Sequence, residues 1–301
     1  MDVSTTRRLL LSALGVALVT PLACASNPQE PMQDATSGAV PAVTSQDGTR
    51  IAYESTGSGP ALILVSGGLT DRSSDATLAS TLAHSFTVYT YDRRRRGDSG
   101  DTQPYAVERE IEDLEAVIAA AGGSAYVMGQ SSGAVLTLRA AVHGLPITRL
   151  ALYEPPVIVD ATVREVVPTD LVEQLTTLVA ANRLFDATAL FLTKGVGLPV
   201  EEVTPIKDSP MWPRLERLAP ATIYDAAITI ENMTGKPLPA AWAGMTSPTI
   251  VIDGDQSWPW LNIAADEVAK VLPNAERRTL AGQTHFPEDA AIAPVLTEFF
   301  R

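Results

Sequence analysis

The chain has 301 residues, 46% of them hydrophobic and 19% charged, a composition that fits one large globular domain or a domain with an insertion and excludes a disordered or fibrous chain. Its 22 basic and 35 acidic residues give a formal charge of -13, so a nucleic acid or an anionic membrane would have to find a local basic patch against an opposing field. A small or neutral partner suits that field better, and a single cysteine leaves the fold to rest on its core rather than on a disulfide.

Residues 1–25 read as an export signal: Arg7 and Arg8, an apolar stretch over 9–19, then Ala23-Cys24-Ala25. The stretch is shorter than the roughly 20 apolar residues that span a bilayer. The paired arginines resemble a twin-arginine signal. Cys24 has two readings. Leu22-Ala23-Cys24 resembles a lipobox, with Pro21 where leucine is usual, and would give a lipid anchor at Cys24. Ala23-Cys24-Ala25 also satisfies a small-x-small cleavage rule that would discard the cysteine. Either way the expectation is an exported protein, secreted or periplasmic, or lipid-anchored at the cell surface. Residues 26–42, rich in Asn, Pro, Gln, Ser, Gly and Ala, read as a flexible spacer.

The first expected elements form a hairpin, with strands at 43–45 and 50–54 around the turn Gln46-Asp47-Gly48. Three apolar runs follow at crossover spacing, 61–65, 86–91 and 124–128. Between the last two, a helix is expected over 105–121 from Val107, Ile111, Leu114 and Ile118. Such alternation predicts an α/β fold with a mostly parallel sheet covered on both faces. Two further strands are expected at 150–153 and 249–253, and a last one at 278–280. Residues 157–241 break the rhythm and read as an inserted helical cap, with Leu171, Val172, Leu175, Leu178 and Val179 behind Thr169 as capping residue. Phe185, Phe191, Trp212 and Tyr224 are its candidates for a pocket wall, against the plainer role of core. The core of the molecule is then 43–156 together with 242–301.

One stretch within this pattern carries chemistry. Gly129-Gln130-Ser131-Ser132-Gly133 matches Gly-x-Ser-x-Gly, which chance alone would place in about one chain in ten of this length. Here it follows the strand-like Ala125-Tyr126-Val127-Met128 and precedes an apolar helix from Ala134 to Ala141, the setting in which a sharp turn holds a serine up as a nucleophile.

On these residues the chain resembles the α/β-hydrolase family from residue 43 to 301. Three more stretches support the resemblance: Leu64-Val65-Ser66-Gly67-Gly68, where the family usually has His-Gly; Asp92-Arg93-Arg94-Arg95-Arg96-Gly97-Asp98-Ser99, which is similar to its Asp-x-Arg-Gly-x-Gly-x-Ser turn; and Gly282-Gln283-Thr284-His285, which resembles its histidine loop. The resemblance implies Ser131 as nucleophile and an acyl-serine route without metal or cofactor, acting on a small-molecule acyl substrate. A serine hydroxyl needs a base to take its proton. Of the three histidines, His84 ends a predicted surface helix and His143 ends the helix after the elbow, which leaves His285.

The acid that orients the imidazole is where the sequence departs from the family. After the strand at 249–253 the family commonly shows Gly-x-x-Asp, but Gly254-Asp255-Gln256-Ser257 puts a serine at that place. Asp255 lies two residues early. Glu154, just past the preceding strand and fixed by Pro155 and Pro156, is the other candidate and the favoured one. The oxyanion hole is expected from the backbone N–H of Ser132 and of Gly68, with Leu69 in reserve. The run Arg93 to Arg96 reads as a solvated, ion-paired turn beneath the site rather than a nucleic-acid patch, and Arg96-Gly97-Asp98 as an incidental match to an adhesion tripeptide.

The function expected is an exported serine hydrolase cleaving an ester or related acyl compound. The alternatives are a non-catalytic lipoprotein that uses the fold to bind, and a cofactor-free perhydrolase or acyltransferase. Serine at 131 disfavours the dehalogenase and epoxide-hydrolase relatives, which use aspartate there. The sequence does not indicate an oligomeric state.

Overall fold

A computed structural model describes residues 40–301. The export signal, the lipobox cysteine Cys24 and all but the last residues of the expected spacer lie outside the described residues. Ala42, placed at the end of that spacer, instead begins the first strand.

Eight strands form one sheet in the order β1-β2-β4-β3-β5-β6-β7-β8. They are β1 (Ala42–Thr44), β2 (Arg50–Gly57), β3 (Ala61–Val65), β4 (Thr87–Tyr91), β5 (Ala125–Gln130), β6 (Ile147–Tyr153), β7 (Thr249–Gly254) and β8 (Ala275–Leu280). β1 and β2 form the antiparallel edge, and every pairing from β4 to β8 is parallel. The sheet is therefore an α/β sheet as the apolar runs predict, with each expected strand present and most extended by one to three residues.

Alternation along the strands divides the core in two. Ile63, Val65, Val127, Leu150, Leu152 and Val251 face one side. There they meet helices α2 (Val107–Ala120) and α3 (Ser132–His143), with α9 (Pro259–Val271) beside them. Leu62, Leu64, Met128, Ala151, Ile250 and Ile252 face the other side, under α1 (Ala76–Leu82) and α10 (Asp289–Phe300).

Between β6 and β7 lie α4 (Leu171–Ala180), α5 (Leu184–Leu190), a π-helical turn (Phe191–Val196), α6 (Val200–Val203), α7 (Trp212–Leu218) and α8 (Thr222–Thr229), joined by short 3₁₀ turns. They pack as a third cluster around Leu171, Leu175, Phe191, Leu215 and Tyr224. The predicted capping residue of α4 is corrected. Asp170, not Thr169, precedes the helix, and it caps without a side-chain hydrogen bond.

Register decides what the sheet can present. Val65 pairs with Gly129, Gln130 with Tyr153, and Tyr153 with Ile252. The chain thus leaves β3, β5, β6 and β7 at one edge, with Ser66, Ser131, Glu154 and Asp255 close behind. β3 leads outward to β4 while β5 lies on its other side, so this edge includes the point where strand order reverses, the usual place for a ligand crevice in such sheets.

Candidate active site

The turn between β5 and α3 is tighter than residues with a Cβ permit on either side of Ser131. A Cβ on Gly129 would lie 2.5 Å from the Gly133 carbonyl oxygen, and one on Gly133 would lie 2.3 Å from that of Val65. Two glycines four apart are therefore a steric requirement of packing α3 against β5 and β3. Ser131 itself takes φ 53°, ψ -123°, a left-handed strain concentrated at one residue. Its N–H donates to the Tyr153 carbonyl at 2.9 Å, which ties the turn to β6.

His285 sits in the loop after β8. Its Nδ1 donates to Oε2 of Glu154 at 2.5 Å. Glu154 is fully buried at the end of β6, also at positive φ (46°). The rest of its carboxylate is satisfied by the Gly254 N–H, at 2.9 Å to Oε1, and by the Ser257 hydroxyl, at 2.8 Å to Oε2. A carboxylate accepting from Nδ1 leaves Nε2 as the basic nitrogen of the ring. Ser257 occupies the position at which the resemblance led one to expect the acid, and its hydroxyl donates to Glu154 from the neighbouring strand.

Asp255, the alternative acid, does not meet the imidazole. It is exposed, and its Oδ1 accepts from the Gly282 N–H at 2.7 Å, bracing the base of the histidine loop. The cause is the turn at Gly254, where β7 runs so close to the loop that a Cβ would lie 2.1 Å from the Gln283 carbonyl. Two residues too early in that turn, the Asp255 side chain faces Gly282.

Two supports were not anticipated. Gln130 Nε2 donates to the His285 carbonyl at 2.8 Å, linking the residue before Ser131 to the histidine loop. The Tyr153 hydroxyl donates to the Thr284 carbonyl. Trp258 lies 5.5 Å from the imidazole, ring to ring. A Gln within Gly-x-Ser-x-Gly was visible in the sequence, but nothing local to it shows which distant carbonyl it meets.

Ser131 and His285 line one pocket, together with Ser132, Gly67, Gly68 and Leu69. Leu69 stands at φ 55° and is buried. The walls are mainly apolar: Leu192, Val196, Ile206 and Met233 from the cap, and Trp260 and Phe286 from the sheet side. Of the four aromatic residues proposed for the wall, only Phe191 lines it. Phe185 packs against Trp212 at 5.3 Å, and Tyr224 stacks on Tyr105 at 3.7 Å, so those three serve as packing.

The arginine run is corrected in one respect. It is ion-paired but not solvated: Arg93 and Arg94 are fully buried and Arg96 nearly so. Arg93 grips Glu110 with two nitrogens at 2.7 and 3.0 Å, and Arg94 does the same to Asp113 at 2.8 and 2.7 Å. Arg96 donates to the Gly67 carbonyl at 2.5 Å and the Thr70 carbonyl at 3.1 Å, so it holds the loop after β3 from beneath. With Arg96 buried, the adhesion tripeptide is not displayed. Arg95, standing where the family has glycine, takes φ 65°, the conformation that glycine would adopt without strain.

The Alpha/beta hydrolase family model matches residues 62–297. The chain belongs to that family. Among solved structures it is similar to an alpha/beta hydrolase from Sphaerobacter thermophilus, with 51% identity and a TM-score of 0.81 over 87% of this chain and all of that one. It is also similar in fold to the enol-lactonase from Burkholderia xenovorans, at 20% identity, 86% and 99% coverage and a TM-score of 0.64. Over shorter stretches it is 39% identical to N-formylmaleamate deformylase of Pseudomonas putida, across 34% of this chain and 39% of that protein. It is 40% identical to the hydrolase YraK of Bacillus subtilis, across 30% and 35%. The chain thus aligns with little more than a third of the length of these two curated relatives.

Proposed function

We propose that the protein is a serine hydrolase that cleaves an ester or a related acyl compound through an acyl-serine intermediate. One relationship carries this reading. Ser131, raised on a strained turn, shares its pocket with His285, whose Nδ1 is bonded to buried Glu154.

In the reaction, Ser131 Oγ attacks the substrate carbonyl while His285 Nε2 takes its proton. Glu154, bonded to Nδ1, stabilises the positive charge that the ring gains. The N–H groups of Ser132 and Gly68 receive the carbonyl oxygen as it becomes an oxyanion. Collapse expels the alcohol, which takes the proton from Nε2. Water, activated by the same nitrogen, then releases the acid and restores Ser131. The apolar walls suit a hydrocarbon portion on the acyl or alcohol side.

Residues 1–25 support export of this enzyme, with Cys24 either a lipid anchor at the cell surface or removed with the signal. The test is labelling with a fluorophosphonate. The wild type takes one equivalent at Ser131 and Ser131→Ala takes none; a folded wild type that stays unlabelled removes the reading.

A further inference from the structure

Beneath the oxyanion loop lies a side chain that this reaction does not use. Asp225 projects from cap helix α8 into the core and is fully buried. Its Oδ1 accepts three hydrogen bonds, from Arg96 Nη2 at 2.6 Å, Ser132 Oγ at 2.7 Å and Arg93 Nη1 at 3.0 Å. Its Oδ2 is buried and accepts none from the described residues. That oxygen would lie 3.3 Å from a Cβ built on Gly68, and Asp225 lines the same pocket as Ser131 and His285. One oxygen is thus saturated by the scaffold, while the other faces the wall beside the proposed oxyanion donor.

Burial alone would raise this carboxyl group's pKa, but the guanidinium groups of Arg96 and Arg93, with the Ser132 hydroxyl, outweigh it and hold the group below the ordinary carboxylate range. An ionised carboxylate has lone pairs and no proton to give, so it can only accept. Leaving such an oxygen buried and unmatched is costly, and a ligand that presents an N–H or O–H to it regains a charge-assisted hydrogen bond. An apolar group in the same place makes no bond to the oxygen and leaves it unmatched.

We propose that Asp225 Oδ2 is a specificity-determining acceptor, so that the preferred substrate is an acyl compound carrying a hydroxyl or amide N–H close to its scissile carbonyl. This deepens the hydrolase reading, since it takes the pocket of Ser131 as the substrate site. The group acts in recognition and takes no part in proton transfer. The remaining walls are mainly apolar, so a single donor on an otherwise hydrocarbon chain is what the pocket would select.

Binding to Ser131→Ala separates this from the chemistry, because Asp225 is intact there and nothing turns over. Calorimetry is run with methyl butanoate, its α-hydroxy and β-hydroxy derivatives, and with propyl and hydroxyethyl butanoate to cover the alcohol side. At least one hydroxylated probe should bind about 10- to 100-fold more tightly than its parent. Adding Asp225→Val, which offers a hydroxyl neither an acceptor nor a donor, should abolish that preference. Gly68→Ala, whose Cβ would press on the Phe191 ring at 3.1 Å and on Oδ2 at 3.3 Å while the arginine pairs stay intact, should do the same and serves if Asp225→Val does not fold. Equal affinities across the set, or a preference that survives either folded variant, overturns the proposal. Failure of the hydrolase reading shows instead as an unlabelled wild type in the fluorophosphonate experiment.

Discussion

The imidazole of His285 and the carboxylate of Glu154, 131 residues apart in sequence, are hydrogen-bonded at 2.5 Å. The partners of that carboxylate, Gly254 N–H and Ser257 hydroxyl, come from β7 and its following turn. Glu154→Gln keeps the shape but loses the anion that holds Nδ1 protonated. The kcat of ester hydrolysis should fall by about 10⁴-fold, the size of the corresponding loss in a serine protease. Asp255→Asn, which touches only the base of the loop, should change kcat by less than about 10-fold. Steady-state kinetics on a p-nitrophenyl ester distinguishes the two residues, and the reverse ranking would make Asp255 the orienting acid.

The arginine run offers a contrast within four positions. Arg93→Met leaves buried Glu110 without its cation and takes one of two arginines from Asp225, and should cost about 3–5 kcal/mol. Arg95→Gly gives up a 3.8 Å pairing with Asp101 but releases a left-handed residue, and should change stability by no more than about 1 kcal/mol. Urea unfolding of both variants checks the difference.

The elbow makes a steric prediction. Gly133→Ala puts a methyl group 2.3 Å from the Val65 carbonyl, so α3 must shift away from β3 and carry the Ser132 N–H with it. Labelling of Ser131 should slow by at least about 100-fold, in keeping with the sensitivity of catalysis to misplacement by about 1 Å. Circular dichroism confirms that the variant still folds.

Acid stability has a clear sign at Asp47. Burial works against its ionisation, but hydrogen bonds from Thr49 and Arg94 lower its pKa to about 2, below the unfolded value near 3.9. A depressed folded pKa means that the stabilisation is fully present above the unfolded value and is lost as pH falls through about 2. Asp47→Asn should therefore lower Tm at pH about 6, and the gap to wild type should close on approaching pH about 2. Thermal unfolding at several pH values reads this out, and a gap independent of pH would contradict it.

The sheet was legible because its signals are local. Continuous apolar runs at 61–65 and 124–128, and glycines flanking Ser131, are set by strands covered on both faces and by steric contact within one turn. The carboxylate that meets the imidazole was legible only as a pair of candidates. Choosing between Glu154 and Asp255 depends on the direction of the turn after Gly254, which the 2.1 Å approach of Gln283 dictates and no local pattern encodes. As a bare run of charge, the four arginines read as a solvated turn. Their burial becomes visible only with Glu110, Asp113 and Asp225, acids 17 to 132 residues away. Three aromatic residues of the cap turned out to pack against other side chains, since helical spacing does not say which face meets the pocket.

The most direct test is to catch the covalent intermediate. Mixing the protein with p-nitrophenyl acetate, quenching in acid within the burst and mapping the peptides by mass should show one acetyl group on Ser131, absent in Ser131→Ala. Turnover of the ester with no acetyl on Ser131, or with the acetyl on another residue, would contradict the account.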